Sequence, residues 1–271
     1  MIVVKIGGAR AVDPQDALGD VARLATDDED VVVVHGGSTA VDDALASMDV
    51  DPEYVETPGG IAGRFTDAET MDVVTMAMSR VNTDLVGDLQ AEGVAAVGLN
   101  GVDGGLLTGP RKSAVKVLED GKRKIRRGDH SGTIEDVNAH LLETLLDGGY
   151  TPVVSVPMLA DDGVAVNTDA DRAAAAVAGA LDATLVVLTD VAGVYEDPTD
   201  PDTRIESVDT PDALAATEAA AEGFMTKKVM AATEALEGGA DQVVIADATR
   251  EAPIQAALDG DGTRFTPDAI A

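Results

Sequence analysis

Six short segments of the chain carry residue types suited to handling an anion. The first is Lys5-Ile6-Gly7-Gly8, an apolar run with a lysine near its end and two glycines after it. Glycines directly after a buried strand let the backbone approach a ligand, and the N–H groups that follow can point at phosphate oxygens. The lysine adds a compact positive charge for a transferring phosphoryl group. The second, His35-Gly36-Gly37-Ser38, repeats the arrangement after the run Val31 to Val34. Two glycine pairs at two strand ends would form one cradle at the carboxyl edge of a sheet, where open α/β folds bind ligands. His35 has two readings, a hydrogen-bonded residue that orients its loop or a general base, and the first is the simpler.

The third segment, Gly60-Ile61-Ala62-Gly63-Arg64-Phe65-Thr66-Asp67-Ala68-Glu69-Thr70, places a planar guanidinium on a glycine-flexed loop. That geometry suits a two-point grip on a carboxylate, with a surface arginine beside a helix cap at Thr66/Asp67 as the plainer alternative. In the fourth, Asn167-Thr168-Asp169-Ala170-Asp171-Arg172, Asn167 and Asp171 would face a cleft from a helix start while Asp169 caps the helix. The fifth, Leu188-Thr189-Asp190-Val191-Ala192-Gly193-Val194-Tyr195, is another strand end running into a polar turn. The sixth, Met225-Thr226-Lys227-Lys228-Val229, sets two lysines at a helix start, where the helix dipole disfavours cations, and so hints at an anionic ligand. Neither G-x-x-x-x-G-K-[ST] nor a G-x-G-x-x-G opening the first helix is present, so a nucleotide would be bound by another device.

These segments must be positioned by an alternating framework. Buried strands are expected at Ile2 to Ile6, Val31 to Val34, Val94 to Leu99, Pro152 to Val156, Thr184 to Leu188 and Gln242 to Ala246. Helical patterns fall at Asp13 to Ala25, Thr39 to Ala46, Asp67 to Ala91, Asp136 to Leu146, Asp169 to Leu181, Met225 to Glu237 and Ala252 to Leu258. Continuous apolar strands alternating with helices predict an α/β fold, a three-layer sandwich around a central, mainly parallel sheet. Ala114 to Glu119 and Lys122 to Arg127, joined by Asp120-Gly121, read as a β-hairpin. The Pro/Asp stretch Asp197 to Asp202 reads as a surface loop, and a division near residues 160 to 165 separates two halves of one fold.

The 271 residues include 50 acidic and 19 basic side chains, for a formal charge of -31, with 2% aromatic residues and no cysteine. No stretch approaches the ~20 apolar residues that span a bilayer. Met1-Ile2-Val3-Val4-Lys5 enters a strand-like run at once, so no signal peptide is expected. Without cysteine, disulfides and thiolate metal sites are excluded and a cytoplasmic address is favoured. So large a charge repels itself at low ionic strength and is screened in molar salt, where the Debye length is about 3 Å, which points to a halophile. General affinity for nucleic acid is not expected of such a surface.

Taken in order, K-x-G-G, H-G-G, G-x-x-x-R-x-T-D, N-x-x-x-D, T-D-x-x-G-V-Y and G-x-M-x-x-K run across nearly the whole chain. This series resembles the amino acid kinase family and, within it, the acetylglutamate kinase branch. The resemblance implies an acceptor-binding N-terminal half (1–163) and an ATP-binding C-terminal half (164–271) sharing one eight-stranded sheet. It implies transfer of the γ-phosphoryl group of ATP, with Mg2+ and no metal site held by the protein alone, to a side-chain carboxylate. Carried over by position, Lys5 and Lys228 would neutralise the transferring group, Asp171 would hold the two lysines, and the N–H groups of Gly8 and Gly37 would stabilise its oxygens. Gly36, Gly37, Arg64 and Asn167 would bind the acceptor, and Thr189, Asp190 and Tyr195 would lie near the nucleotide. The family spacing selects Lys228, with Lys227 as the alternative.

Two departures narrow the resemblance. The common H-G-G-G is here His35-Gly36-Gly37-Ser38, and Phe224 separates Gly223 from Met225. With Arg64-Phe65-Thr66-Asp67-Ala68-Glu69-Thr70, Ser38 is more similar to kinases acting on aminoadipate or glutamate attached to LysW, a small acidic amino-group carrier protein of lysine and arginine synthesis. Eight of the 19 basic residues lie between 111 and 127: Arg111, Lys112, Lys116, Lys122, Arg123, Lys124, Arg126 and Arg127. Such a hairpin would suit an acidic carrier; the alternative is an internal partner for the protein's own acidic surface. A kinase of free N-acetylglutamate and a non-catalytic sensor of nucleotide or amino acid are the rival readings. The family resemblance also implies a homodimer. Aminoadipate and glutamate differ by one methylene, which changes pocket depth without changing a motif.

Overall fold

A computed structural model describes residues 1–7, 14–58, 62–119 and 122–271. The chain opens with β1 (Ile2–Ile6), α1 (Gln15–Thr26), β2 (Val31–His35) and α2 (Ser38–Ser47). A small pair, β3 (Tyr54–Glu56) and β4 (Ala62–Arg64), leads into the long helix α3 (Ala68–Ala91), which Asp67 caps by accepting the Thr70 N–H at 2.8 Å. β5 (Ala96–Gly101) and β6 (Leu107–Gly109) follow, then a separate hairpin of β7 (Arg111–Glu119) and β8 (Lys122–Gly132). Next come β9 (Asp136–Val137), α4 (Ala139–Asp147), β10 (Thr151–Ala160), β11 (Ala165–Val166), α5 (Ala170–Ala180) and β12 (Thr184–Thr189). The chain finishes with β13 (Ser207–Val208), α6 (Pro211–Ala220), α7 (Phe224–Glu237), β14 (Gln242–Asp247), α8 (Pro253–Leu258) and β15 (Thr263–Phe265).

All six expected strands are present, most with their ends moved by a residue or two. The β-branched runs of β1, β2, β12 and β14 are buried on both faces, as parallel strands between helical layers must be. The main sheet runs β13-β15-β14-β12-β1-β2-β10-β6-β9, with β5 and β11 also paired to β10. It has eleven strands rather than eight, three of them (β9, β11 and β13) only two residues long. The pairs β1–β12, β1–β2, β2–β10, β5–β10 and β12–β14 are parallel.

Two helical expectations are corrected. Asp136-Val137 pairs with β6 instead of starting a helix, and α4 begins after Asn138, whose side chain accepts the Leu141 N–H. The helix α6 was not expected, because its Ala, Thr and Glu residues show no apolar stripe; Thr210 caps it and Pro211 opens it. The hairpin is longer than its apolar alternation suggested, and its Asp120-Gly121 turn lies outside the described residues.

Side chains alternate along β1, so Ile2, Val4 and Ile6 pack on one side with Leu18 and Val21 of α1 and Ile254 of α8. Val3 packs on the other with α5 and α7 residues such as Ala174 and Val229. Lys5 shares the parity of Val3, so its side chain enters the α5/α7 layer. No helix among the described residues is long and apolar enough to cross a membrane.

Candidate active site

Successive parallel connections leave β1 toward β2 and β12 toward β14, in opposite directions along the sheet. The crevice beyond the carboxyl ends of β1 and β12 is therefore a switch point, the place where open α/β sheets receive ligands. Lys5, 5% exposed, reaches Oδ1 of Asp171 at 2.6 Å there. Lys228 approaches Oδ2 of the same carboxylate at 3.3 Å and Oδ1 at 3.5 Å. One carboxylate from the first turn of α5 thus sits between a lysine from β1 and a lysine from the first turns of α7.

The electrostatics follow from that packing. Burial pushes the Asp171 carboxyl up, but the charges of Lys5 and Lys228 and their hydrogen bonds outweigh it and hold its pKa at about 2. The Lys228 ammonium is pushed down by burial and by the charge of Lys5, against the pull of Asp171 and Asp169. Two cations around one anion leave a net positive, largely dehydrated site, which attracts phosphate oxygens more strongly than exposed lysines would. Lys227 stands apart, 3.9 Å from Asp169 Oδ2 and 6.0 Å from the centre of the exposed Phe224 ring. Asp169 accepts the N–H groups of Asp171 and Arg172 and is the helix cap.

The second glycine pair follows β2. The Gly36 N–H donates to Ile6 O at 3.1 Å, so it ties the two strand ends together. Gly37 precedes α2, and a Cβ there would stand 2.6 Å from Met78 Sδ, so a larger residue would have to displace that methionine side chain. Gly8 lies outside the described residues. His35 is buried; its Nδ1 meets Gly36 O at 3.0 Å and its Nε2 meets Asn82 Nδ2 at 3.1 Å. Burial pulls its pKa down from 6.5 to about 4, with Lys5 adding to the fall and the Gly36 bond opposing it. A neutral ring with both nitrogens engaged orients the loop.

Arg64 is nearly buried, with its side chain 9% exposed. Its Nη2 donates to Asp42 Oδ1 at 2.7 Å, Ser38 O at 3.0 Å, Tyr54 OH at 3.2 Å and Ser38 Oγ at 3.3 Å. Its Nε is buried without a hydrogen-bond partner among the described residues. The Asn167 side chain donates to Thr66 Oγ1 at 3.2 Å. The foot of the hairpin joins these segments: the His130 N–H donates to Thr66 O, Asn167 N–H to His130 O, and Gly132 N–H to Asn167 O. Thr189 ends β12, buried, with its hydroxyl on Asp190, while Asp190 is exposed and Tyr195 pairs with Arg204 in the turn beyond.

Sequence reasoning missed several supports. Asp42 lies one helical turn beyond Ser38, a spacing that would have placed both on one face of α2. Asn82 falls one turn after Met78 beside the apolar stripe of α3, where a half-buried amide is itself a signal. Nothing in the sequence pairs Tyr54 with Arg64.

The sequence profile of the amino acid kinase family matches residues 1–247. The chain belongs to that family. This amino acid kinase is 42% identical to the [LysW]-aminoadipate kinase of Thermus thermophilus over 270 residues, covering 97% of this chain and 99% of that protein. It is 41% identical to the acetylglutamate kinase of Methanopyrus kandleri over 266 residues, covering 97% and 99%. Among solved structures, the N-acetylglutamate synthase of Neisseria gonorrhoeae superposes with a TM-score of 0.76 at 23% identity. That match covers 98% of the kinase but 59% of the synthase chain, and at this identity it shows the shared fold.

Proposed function

We propose that this kinase passes the γ-phosphoryl group of ATP to the side-chain carboxylate of 2-aminoadipate or glutamate borne on an acidic carrier protein of the LysW type, in lysine or arginine biosynthesis. The observation that carries the chemistry is the buried Lys5–Asp171–Lys228 triplet at the switch point. In this reading a carboxylate oxygen of the acceptor attacks the γ-phosphorus as the bond to the β-phosphate oxygen breaks, giving an acyl phosphate and ADP. A carboxylate needs no general base, so catalysis is positioning and charge neutralisation. Lys5 and Lys228 face the charge of the transferring group, and Asp171 keeps both ammonium groups in place. N–H groups at the start of α2, Gly37 among them, and Gly8 would hold its oxygens, with Gly36 shaping the loop.

Arg64 and Asn167 are assigned to the acceptor, with the Arg64 guanidinium as the partner for its carboxylate. Thr189, Asp190 and Tyr195 are assigned to the nucleotide. Residues 1–163 would then bind the acceptor and 164–271 the ATP, on one sheet. Mg2+ would arrive with the nucleotide, as a small cation that keeps phosphate and water ligands.

The basic hairpin favours a carrier-borne acceptor over free N-acetyl-L-glutamate, the second reading, which the Methanopyrus relative supports. The test is ADP release with Mg-ATP in molar KCl, comparing carrier protein bearing aminoadipate or glutamate with free N-acetylglutamate. Turnover with the carrier alone is expected. Turnover with only the free amino acid would favour the second reading, and silence with all despite ATP binding would indicate a sensor. A cytoplasmic, halophilic homodimer completes the proposal; sedimentation in molar KCl should give the mass of two chains.

A further inference from the structure

Beyond the bulge the basic residues fall on two faces, Lys124 and Arg126 with the exposed Lys122 on one, and Lys116, Arg123 and Arg127 on the other. Pairing sets Ala114 against Arg127, Lys116 against Ile125 and Leu118 against Arg123, while Val115 opposes Arg126 and Val117 opposes Lys124. Opposed residues share a face, and faces alternate along each strand. The inner face packs on the body of the protein: Val117 is buried, and Arg126 lies 4.7 Å from the centre of the Phe65 ring and pairs with Glu53. Lys124 pairs with Glu119 at 2.6 Å, and at the stem Arg111 approaches Asp162 at 3.7 Å. These basic residues do serve the protein's own acidic surface.

The outer face is different. Lys116, Arg123 and Arg127 are exposed, and no ion pair holds them among the described residues. Between them lie Ile125, 67% exposed, and Leu118, 38% exposed. These two apolar side chains are diagonal neighbours on paired strands, close enough to make one patch. A cationic rim around an apolar centre is the usual anatomy of a protein-binding surface.

We propose that this outer face docks the acidic carrier protein and that Ile125 and Leu118 supply the affinity that survives concentrated salt. The inference rests on the carrier reading proposed above. Charge complementarity selects the occupant. A second copy of this chain related by a two-fold axis through the face would set Lys116, Arg123 and Arg127 against themselves. A nucleic acid would meet a body of formal charge -31 around a small basic face. An acidic protein with an apolar spot meets neither objection. In molar salt only charge pairs in contact persist, whereas apolar burial is not weakened. The hairpin foot also links Thr66 and Asn167, so a partner on this face is seated on an element built into the acceptor wall.

The test is calorimetric titration of the carrier protein without its amino acid into the full-length kinase, at low ionic strength and in molar KCl. Two variants are compared with the wild type: I125T/L118T, which keeps strand propensity, and K116Q/R123Q/R127Q. A rise in melting temperature with ATP shows that each variant is folded. In molar KCl, I125T/L118T should weaken binding roughly tenfold, and K116Q/R123Q/R127Q should do so mainly at low ionic strength. Unchanged binding of I125T/L118T in molar KCl, while the wild type still phosphorylates carrier-borne amino acid, would defeat the docking inference and leave the carrier reading standing. A wild type that neither binds the carrier nor phosphorylates its amino acid would defeat both. Self-association of the kinase or duplex DNA binding, either abolished by I125T/L118T, would assign the face to another occupant and overturn the proposal.

Discussion

Lys5 Nζ lies 2.6 Å from Asp171 Oδ1, although the two residues come from the first strand and from a helix in the second half of the chain. The other oxygen of that carboxylate faces Lys228. A single buried anion thereby holds two cations that would otherwise repel each other across the crevice. Removing one partner of such a group leaves uncompensated charge in a place with little water, which is far costlier than loss of a surface ion pair.

Asp171→Asn keeps the shape and removes the charge. It should lower kcat by roughly two to three orders of magnitude, the scale for losing a preorganised electrostatic element. The pH dependence gives a second readout. The folded pKa of Asp171, about 2, lies below its ordinary 3.8, so ionisation of this group favours the folded state. Its contribution is present above about pH 4 and is lost as the pH falls toward 2. The difference in unfolding free energy between wild type and D171N should therefore shrink over that interval. A difference independent of pH there would contradict the assignment.

Lys228 and Lys227 are adjacent but face different partners, which separates their expected phenotypes. Lys228→Ala should reduce kcat roughly a hundredfold or more, while Lys227→Ala, beside Asp169 and Phe224, should change it only a few-fold. Because burial and Lys5 push the Lys228 pKa below that of a free lysine, activity should decline at alkaline pH sooner than an ordinary lysine predicts. Steady-state kinetics of the wild type across alkaline pH, and of both variants at neutral pH, check this, and equal losses in the two variants would reverse the assignment.

How much of this was legible beforehand depends on locality. Lys5, Gly37 and Lys228 announce themselves by sitting at the ends or starts of strongly patterned elements, and the parity of β1 even fixes which layer Lys5 enters. The Asp169 cap and the hairpin were local as well. What the chain order concealed was convergence: Arg64 meeting Asp42 and Tyr54, Asn82 reaching His35, and the hairpin foot joining Thr66 to Asn167. These contacts join segments whose own patterns do not refer to each other. The division of the basic cluster into two faces needed the strand register, since the bulge between Lys112 and Ala114 shifts it.

Arg64 should be more sensitive than its charge alone suggests. Nη2 is already held by Asp42, Ser38 and Tyr54, which fixes the plane of the guanidinium that the proposal assigns to the acceptor. Lysine retains the charge but lacks the planar fork of donors, so Arg64→Lys should raise the acceptor KM roughly tenfold to a hundredfold with little change in the KM for ATP. Initial rates at varied concentrations of each substrate test this. An equal rise in both KM values would show that Arg64 shapes the whole cleft rather than gripping the acceptor.

His35 tests whether the loop is held by a neutral ring. Its folded pKa of about 4 lies below the ordinary 6.5, so the folded state favours the unprotonated imidazole. The stabilisation is therefore full above about pH 6.5 and is lost as the pH falls toward 4. In NMR spectra its ring signals should remain those of a neutral imidazole at pH 6. Protonation would turn the acceptor nitrogen into a donor facing the Asn82 amide and break the link between the glycine loop and α3. His35→Gln, with a carbonyl acceptor and an amide donor, should preserve part of the activity, whereas His35→Phe should lose stability and activity together. A His35 midpoint near 6.5 with an unchanged loop would show that the ring is hydrated and that another group fixes Gly36 and Gly37.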